Sequence, residues 1–147
     1  MRKLLVALSV GFALLASRAD GHVRVLPTES QAGAKQVYTV RVPTEGKIAT
    51  SAVVLEIPNG VSVISAQGGA LNNRAGKAVS ITWTAEIPPG ESQVFTFEAT
   101  NPVSGQQIAW KARQRYADGT SRDWAEELSS KSPASITRLK GPAEAAR

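Results

Sequence analysis

The only histidine of the chain, His22, lies where a secretory signal would be cleaved. If cleavage frees the α-amine of His22, that amine and the imidazole Nδ1 can close a ring on one metal ion. A free α-amine has a pKa of about 8, so a metal competes easily with its proton at neutral pH. Two nitrogens of this kind suit Cu(II), which leads the divalent affinity order. The alternative is a polar residue at a frayed N-terminus, and the composition leaves both interpretations open.

Few other metal-binding groups accompany this histidine. The chain has no cysteine, and its one methionine, Met1, would leave with the signal. A metal site would therefore use nitrogen and oxygen ligands, which favours Cu(II) over Cu(I). The absence of cysteine also means that the fold must be stable without disulfides.

Residues 1–21 have the three parts of an export signal. Arg2 and Lys3 give a positive start, "LLVALSVGFALLA" is a continuous apolar run, and "ADG" offers small residues at the cleavage point. The apolar run is too short for a comfortable membrane span, and no second one follows. We therefore expect a cleaved signal peptide and a periplasmic or secreted protein without a membrane anchor after cleavage. Cleavage after Gly21 would make His22 the first residue.

The mature chain shows short alternating or apolar runs, separated by Pro, Gly and Asn, and no long helical pattern. This pattern predicts an all-β fold, an immunoglobulin-like antiparallel β-sandwich of seven to eight short strands. We expect the sandwich to span 22–128 and the polar segment 129–147 to be a loosely ordered tail. The tract 67–77, "QGGALNNRAGK", has no periodicity and is expected to be a loop. The predicted strands are 23–27, 36–42, 51–57, 61–66, 78–87, 93–99, 106–117 and 120–128.

Strand direction brings two further residues toward His22. If the second strand returns beside the first, Glu45 lies at the same end of the sandwich as His22 and could supply an oxygen ligand. The same alternation of directions sends the last strand, which carries Trp124, toward that end. A two-residue turn at Asp118-Gly119 would pair Trp124 with Arg113. A solvated loop acid and a core tryptophan are the ordinary alternatives.

The charge pattern argues against a nucleic-acid partner. The formal charge of +5 falls to +3 once the signal is removed, because three cationic residues and one acidic residue leave with it. The remaining Lys and Arg alternate with apolar residues and form no block, whereas nucleic-acid binding requires a clustered basic patch.

The mature start, "HVRVLPTESQAGAKQVYTVRVPTE", resembles the YcnI-like family of exported copper-binding domains. "LEIPNGVSV", "ITWTAEIPPGESQVFTFEA" and "QRYADGTSRDW" are similar to that family in order and spacing. The resemblance implies an immunoglobulin-like sandwich, a role in copper homeostasis and a one-histidine brace formed by His22 and Glu45, with Trp124 close by. Many relatives have a Gly-Trp element after the "V-S-V" strand, and here "AQGGALNNRAGK" has no aromatic residue.

The expected function is therefore capture, buffering or delivery of Cu(II), without enzymatic activity. Expected partners are the copper ion and other exported or membrane copper-trafficking proteins. A copper-dependent oxidative enzyme is one alternative, but copper monooxygenases complete their brace with a second histidine, which this chain lacks. Serine hydrolysis would need His22 as its base on a mobile terminus without a nucleophile elbow. A structural or adhesion module is the remaining alternative and predicts no metal binding.

Overall fold

Strands account for all the regular structure of the part of the chain that the computed structural model describes, residues 21–141. Within this range there is no helix, and so none that could cross a membrane. The predicted signal, residues 1–20, and the end of the chain, 142–147, lie outside the described residues. The strands are β1 (Arg24–Leu26), β2 (Glu29–Gln31), β3 (Lys35–Pro43), β4 (Thr50–Glu56), β5 (Ser62–Ala66), β6 (Ala70–Arg74), β7 (Lys77–Ile87), β8 (Ser92–Thr100), β9 (Gln107–Trp110), β10 (Ala112–Tyr116), β11 (Ser121–Trp124) and β12 (Ser135–Lys140).

The strands form three sheets. One has the order β1-β3-β8-β5, the second β11-β10-β4-β7-β6, and a smaller third sheet β2-β12-β9. All pairs are antiparallel except β2 with β12, which run parallel. The all-β class is confirmed. The structure has more strands than the seven to eight expected, because the predicted strand 106–117 is split at Lys111 and three short strands have weak sequence signals.

The core lies between the inward faces of the sheets. Period-two alternation predicts that Tyr38, Val40 and Val42 share a face, and all three are fully buried. The Tyr38 ring packs 4.9 Å from Trp110 and 5.2 Å from Phe97, centroid to centroid. Each such aromatic side chain removes a large apolar area from water, worth about 1.5–3 kcal/mol for a fully buried side chain of this size.

The loop expected at 67–77 is instead largely a hairpin strand. β6 pairs with the longer β7, and Ala75 and Gly76 connect them with positive φ angles of 52° and 78°. Two successive positive φ values are those of a type I′ turn, which matches the twist of a hairpin. Asn is a poor strand former and supplies two of the five residues of β6, so this sequence predicts a loop. Pairing with β7 overrides that preference.

The sandwich also extends beyond the predicted boundary at 128. β12 is paired on both sides, with β2 and with β9, so the expectation of a loose tail is wrong for 135–140. The buried Thr137 hydroxyl accepts a hydrogen bond from Trp110 Nε1 at 2.9 Å and donates to the Pro27 carbonyl at 2.9 Å. "SITRLK" has few apolar residues, and its place in the fold depends on these long-range partners.

Candidate metal-binding site

His22 and Trp124 are neighbours at one end of the sandwich. Their ring centroids lie 5.3 Å apart with the planes inclined by 51°. His22 is partly buried and precedes β1, whereas Trp124 ends β11 on the edge of the five-stranded sheet. Residues far apart in sequence thus place an imidazole beside an indole, as the strand directions predicted.

Glu45 approaches the same segment from the turn after β3. A Cβ placed on Gly21 would lie 1.7 Å from Glu45 Cδ and 2.0 Å from each carboxylate oxygen. Covalent geometry therefore limits the distance from the His22 backbone nitrogen to these oxygens to about 6 Å at most. A side chain at position 21 would require the exposed Glu45 carboxylate to rotate away. The backbone nitrogen that cleavage after Gly21 would convert to an amine thus lies close to an acidic oxygen.

Trp124 reaches the site because of the turn that precedes β11. Residues 117–120 connect β10 to β11, and hydrogen bonds from Tyr116 N to Thr120 O and from Gly119 N to Tyr116 O close a three-residue loop, 117–119, within this connection. The expected two-residue turn is wrong, and the pairing shifts by one residue, so that Trp124 faces Ala112 and Arg113 faces Asp123. A one-residue shift exchanges the faces of a strand. Trp124 consequently points inward with 2% exposure, whereas the predicted register would have set it beside an outward-facing arginine.

The observed register also places Arg113 opposite Asp123, and the two form an ion pair with an Nε to Oδ1 distance of 2.7 Å. The hydrogen bond from Arg113 lowers the pKa of the Asp123 carboxyl from its ordinary value of 3.8. Both side chains are more than half exposed, so the pair contributes little to stability.

A buried amide links Trp124 to the strand that leads to Glu45. Gln114 Oε1 accepts a hydrogen bond from Trp124 Nε1 at 3.1 Å. Gln114 Nε2 donates to the Pro43 carbonyl at 2.8 Å and to Thr50 Oγ1 at 2.7 Å. Since Pro43 ends β3 two residues before Glu45, the amide fixes the start of the Glu45 turn relative to the indole.

A second set of hydrogen bonds secures the same turn from the other side. Thr44 Oγ1 lies 2.7 Å from Thr50 Oγ1 and donates to the Ile87 carbonyl at 2.9 Å. The backbone N–H of Thr44 donates to the Glu91 carbonyl, and that of Gly90 donates to the Thr44 carbonyl. Paired polar groups of this kind make a rigid support for the exposed carboxylate that follows.

Charged and phenolic groups surround a cavity of about 190 Å³ next to these residues. Arg122 stacks on the indole of Trp124, with its Cζ 4.6 Å from the ring centroid. Burial raises the pKa of Tyr116, the Arg122 charge lowers it, and the Glu45 charge raises it. The Tyr116 phenol therefore lies within electrostatic range of both an acid and a base. Lys47 completes the charged lining.

The three residues singled out in the sequence thus come together, but their supporting groups were missed. Gln114 and Arg122 are polar side chains on the inward face of β10 and β11, facing each other across the pair. The burial of Gln114 could have been predicted, since alternation along the strand places it on the same face as the buried Ala112. Within 21–141 there is no cluster of three or more His, Cys, Asp or Glu side chains that could hold a metal ion.

A protein family described as a domain of unknown function, DUF1775, matches residues 69–145, more than half of the chain. The chain belongs to this family. The resemblance to YcnI-like proteins expected from the sequence is thereby confirmed, with support from the relative below. The DUF1775 match contains Trp124, and His22 and Glu45 precede it.

A curated relative is the copper-binding protein CutI of Bacillus subtilis (strain 168). It is 37% identical over 129 residues, which cover 82% of this chain. The match spans 63% of the length of CutI, so this chain corresponds to less than two thirds of that protein.

A solved structure of an uncharacterized protein from Nocardia farcinica supports the fold assignment. It superimposes with a TM-score of 0.69 and 28% identity, covering 80% of this chain and 97% of that one. That protein is described as having an immunoglobulin-like fold, so the predicted immunoglobulin-like class is confirmed for this DUF1775 member.

Proposed function

We propose that this chain is an exported copper-binding protein that captures Cu(II) for buffering or delivery. In the proposal, the amine and imidazole of His22 bind the ion, Glu45 supplies an oxygen, and Trp124 covers one side of the site. The periplasm or the cell exterior is the proposed location. The ion is cargo, and no catalytic step is assigned to it.

The observation that carries the proposal is the position of the Glu45 carboxylate against the Gly21–His22 segment. Its oxygens would lie 2.0 Å from a Cβ placed on Gly21. The next residue, His22, carries the imidazole that lies beside Trp124. Removal of residues 1–21 would create the amine beside this exposed carboxylate.

The chemistry of these donors fits the cupric ion. Imidazole, amine and carboxylate are nitrogen and oxygen ligands, and the mature chain has neither cysteine nor methionine to favour Cu(I). Three protein donors leave coordination positions open. Structural metal sites are usually closed, so an open set suits an ion that is taken up and passed on.

The 37% identity to CutI adds support for copper as the ligand. That relative is named for copper binding, and we extend the property to this chain as part of the proposal. The alternative of a structural or adhesion module predicts that copper has no specific site here. The following experiment separates the two.

The test is a Cu(II) titration, by calorimetry, of protein that begins at His22, beside protein with one additional N-terminal Ala. We expect one ion per chain and a loss of most of the affinity on extension, because the amine becomes a peptide nitrogen. His22→Ala should abolish tight binding. Mass spectrometry of the exported polypeptide determines whether His22 is its first residue.

Glu45→Gln tests the oxygen ligand against a matched control. Glu56→Gln makes the same change at the opposite end of β4 from Thr50. We expect Glu45→Gln to weaken copper binding at least tenfold and Glu56→Gln to leave it unchanged. Equal affinity of the His22, Ala-extended and Glu45→Gln proteins would contradict the proposal and favour the structural module.

A further inference from the structure

The cavity beside Trp124 has an unusual lining for the surroundings of a cation site. It combines Glu45, which faces the His22 segment, with the basic side chains Arg122 and Lys47 and the hydroxyl groups of Tyr116 and Thr120. With Gly21 as part of the lining the cavity has a volume of about 190 Å³, below the 300–1,000 Å³ of sites for drug-sized ligands, and the proposed cleavage would open it further on that side. Its two basic side chains and one acid leave one net positive charge, so the cavity suits a small anion.

Arg122 is oriented for binding an anion. Its guanidinium lies over the Trp124 indole, and Nε donates to Ser132 Oγ at 3.0 Å. These two contacts fix the plane of the group while its terminal nitrogens make no ion pair with any carboxylate in the described part of the chain. An arginine with a fixed plane presents parallel N–H donors that match a carboxylate.

The electrostatics of the cavity link an anion to the metal. Burial raises the pKa of Tyr116, which also senses the Arg122 and Glu45 charges, so the acid and the base both act on this small volume. A free carboxylate entering it would meet the negative charge of Glu45. A divalent cation bound by Glu45 would cancel that repulsion and attract the second carboxylate.

We propose that this cavity binds a small dicarboxylate that bridges the copper ion and Arg122. One carboxylate completes the coordination of the Cu(II) held by His22 and Glu45, and the other pairs with the guanidinium, with Lys47 nearby. The inference rests on the proposed function and specifies it, since the cargo is then a copper complex of a small carboxylic acid. The protein would accept the ion together with a ligand that keeps it soluble outside the cell.

The test uses malonate as the probe and the visible d–d absorption of the copper-loaded protein as the readout. Malonate should shift the band in a saturable way while copper stays with the protein on ultrafiltration. Copper-free protein should bind malonate far more weakly, as measured by calorimetry. Acetate, which has one carboxylate, should need at least tenfold higher concentration for the same shift, because it cannot reach both partners.

Arg122→Gln should raise the malonate concentration for half-maximal shift about tenfold, since a charge-assisted hydrogen bond to the ligand is lost. Lys47→Gln, on an exposed turn, should raise it two- to threefold and gives a second variant if the first disturbs Trp124. Arg74→Gln removes a cation outside the lining and should change nothing. Each protein is compared at the same copper content, fixed by metal analysis.

The outcomes separate the two proposals. Three results would overturn the dicarboxylate site and leave the proposed function standing. These are copper binding without a malonate response, a malonate response in both Arg122→Gln and Lys47→Gln equal to that of wild type, and loss of copper into the filtrate. Failure of copper to bind at His22 in the absence of any carboxylate would overturn both.

Discussion

Replacement of Gln114 by leucine should destabilise the fold strongly, because it removes a buried group that joins three strands. The two side chains are similar in size, so packing is largely preserved. The leucine, however, removes the acceptor for Trp124 Nε1 and the donors to the Pro43 carbonyl and Thr50 Oγ1. Thr50 keeps its contact with Thr44. The buried groups left without a partner are therefore Trp124 Nε1 and the Pro43 carbonyl. At about 1–3 kcal/mol for each unsatisfied group, we expect a loss of about 2–6 kcal/mol.

That loss is a large part of the stability of a domain of this size, which is typically about 5–15 kcal/mol. Equilibrium urea unfolding followed by tryptophan fluorescence measures it as a lower midpoint with an unchanged m-value. Gln93→Leu, the same substitution at an exposed position of β8, should stay within about 0.5 kcal/mol of wild type.

A functional consequence should accompany the loss of stability. Because Gln114 joins Trp124 to the strand before Glu45, its replacement should weaken copper binding about tenfold, in the range seen for groups that orient metal ligands. A Gln114→Leu protein as stable as Gln93→Leu would refute the reasoning, since the buried amide would then be dispensable.

Three further results are expected. Gly69→Ala should destabilise the fold by about 1–3 kcal/mol in thermal unfolding, because its Cβ would lie 2.7 Å from a buried isoleucine, whereas Gly46→Ala meets no atom within 4 Å and should be neutral. Thr137→Val should cost about 1–3 kcal/mol in urea unfolding, since the buried Trp110 Nε1 and the partly buried Pro27 carbonyl lose their hydrogen bond, and a neutral result would mean that β12 is not integral to the fold. Arg113→Gln should raise the pKa of Asp123 toward 3.8 in an NMR titration. Because folding lowers this pKa, the small stabilisation from the pair is present above the ordinary value and is lost as the pH falls through the lowered one. An unchanged Asp123 pKa would contradict the assigned pair.

The local sequence pattern was sufficient to predict features that depend on neighbouring residues in the chain. The alternation in β3 identified Tyr38, Val40 and Val42 as inward-facing, because side chains alternate along any strand. Strand direction was equally accessible, since an antiparallel return brings Glu45 back to the end where His22 lies. Fold class and the meeting of the three candidate site residues could therefore be predicted.

Register and distant pairing could not be predicted in this way. One additional residue in the turn before β11 decided that Trp124 points inward, and that choice is made by the hydrogen bonds of the turn. β6 and β12 have sequences that favour loops and become strands through partners elsewhere in the chain.

The sequence by itself determined which side chains could bind a metal and at which end of the sandwich they meet. The tertiary structure alone decided how they are supported, through the buried Gln114 amide and the oriented Arg122. The physical reason is that a period-two pattern records the face of a side chain, whereas hydrogen bonds between distant strands determine which polar groups are buried together.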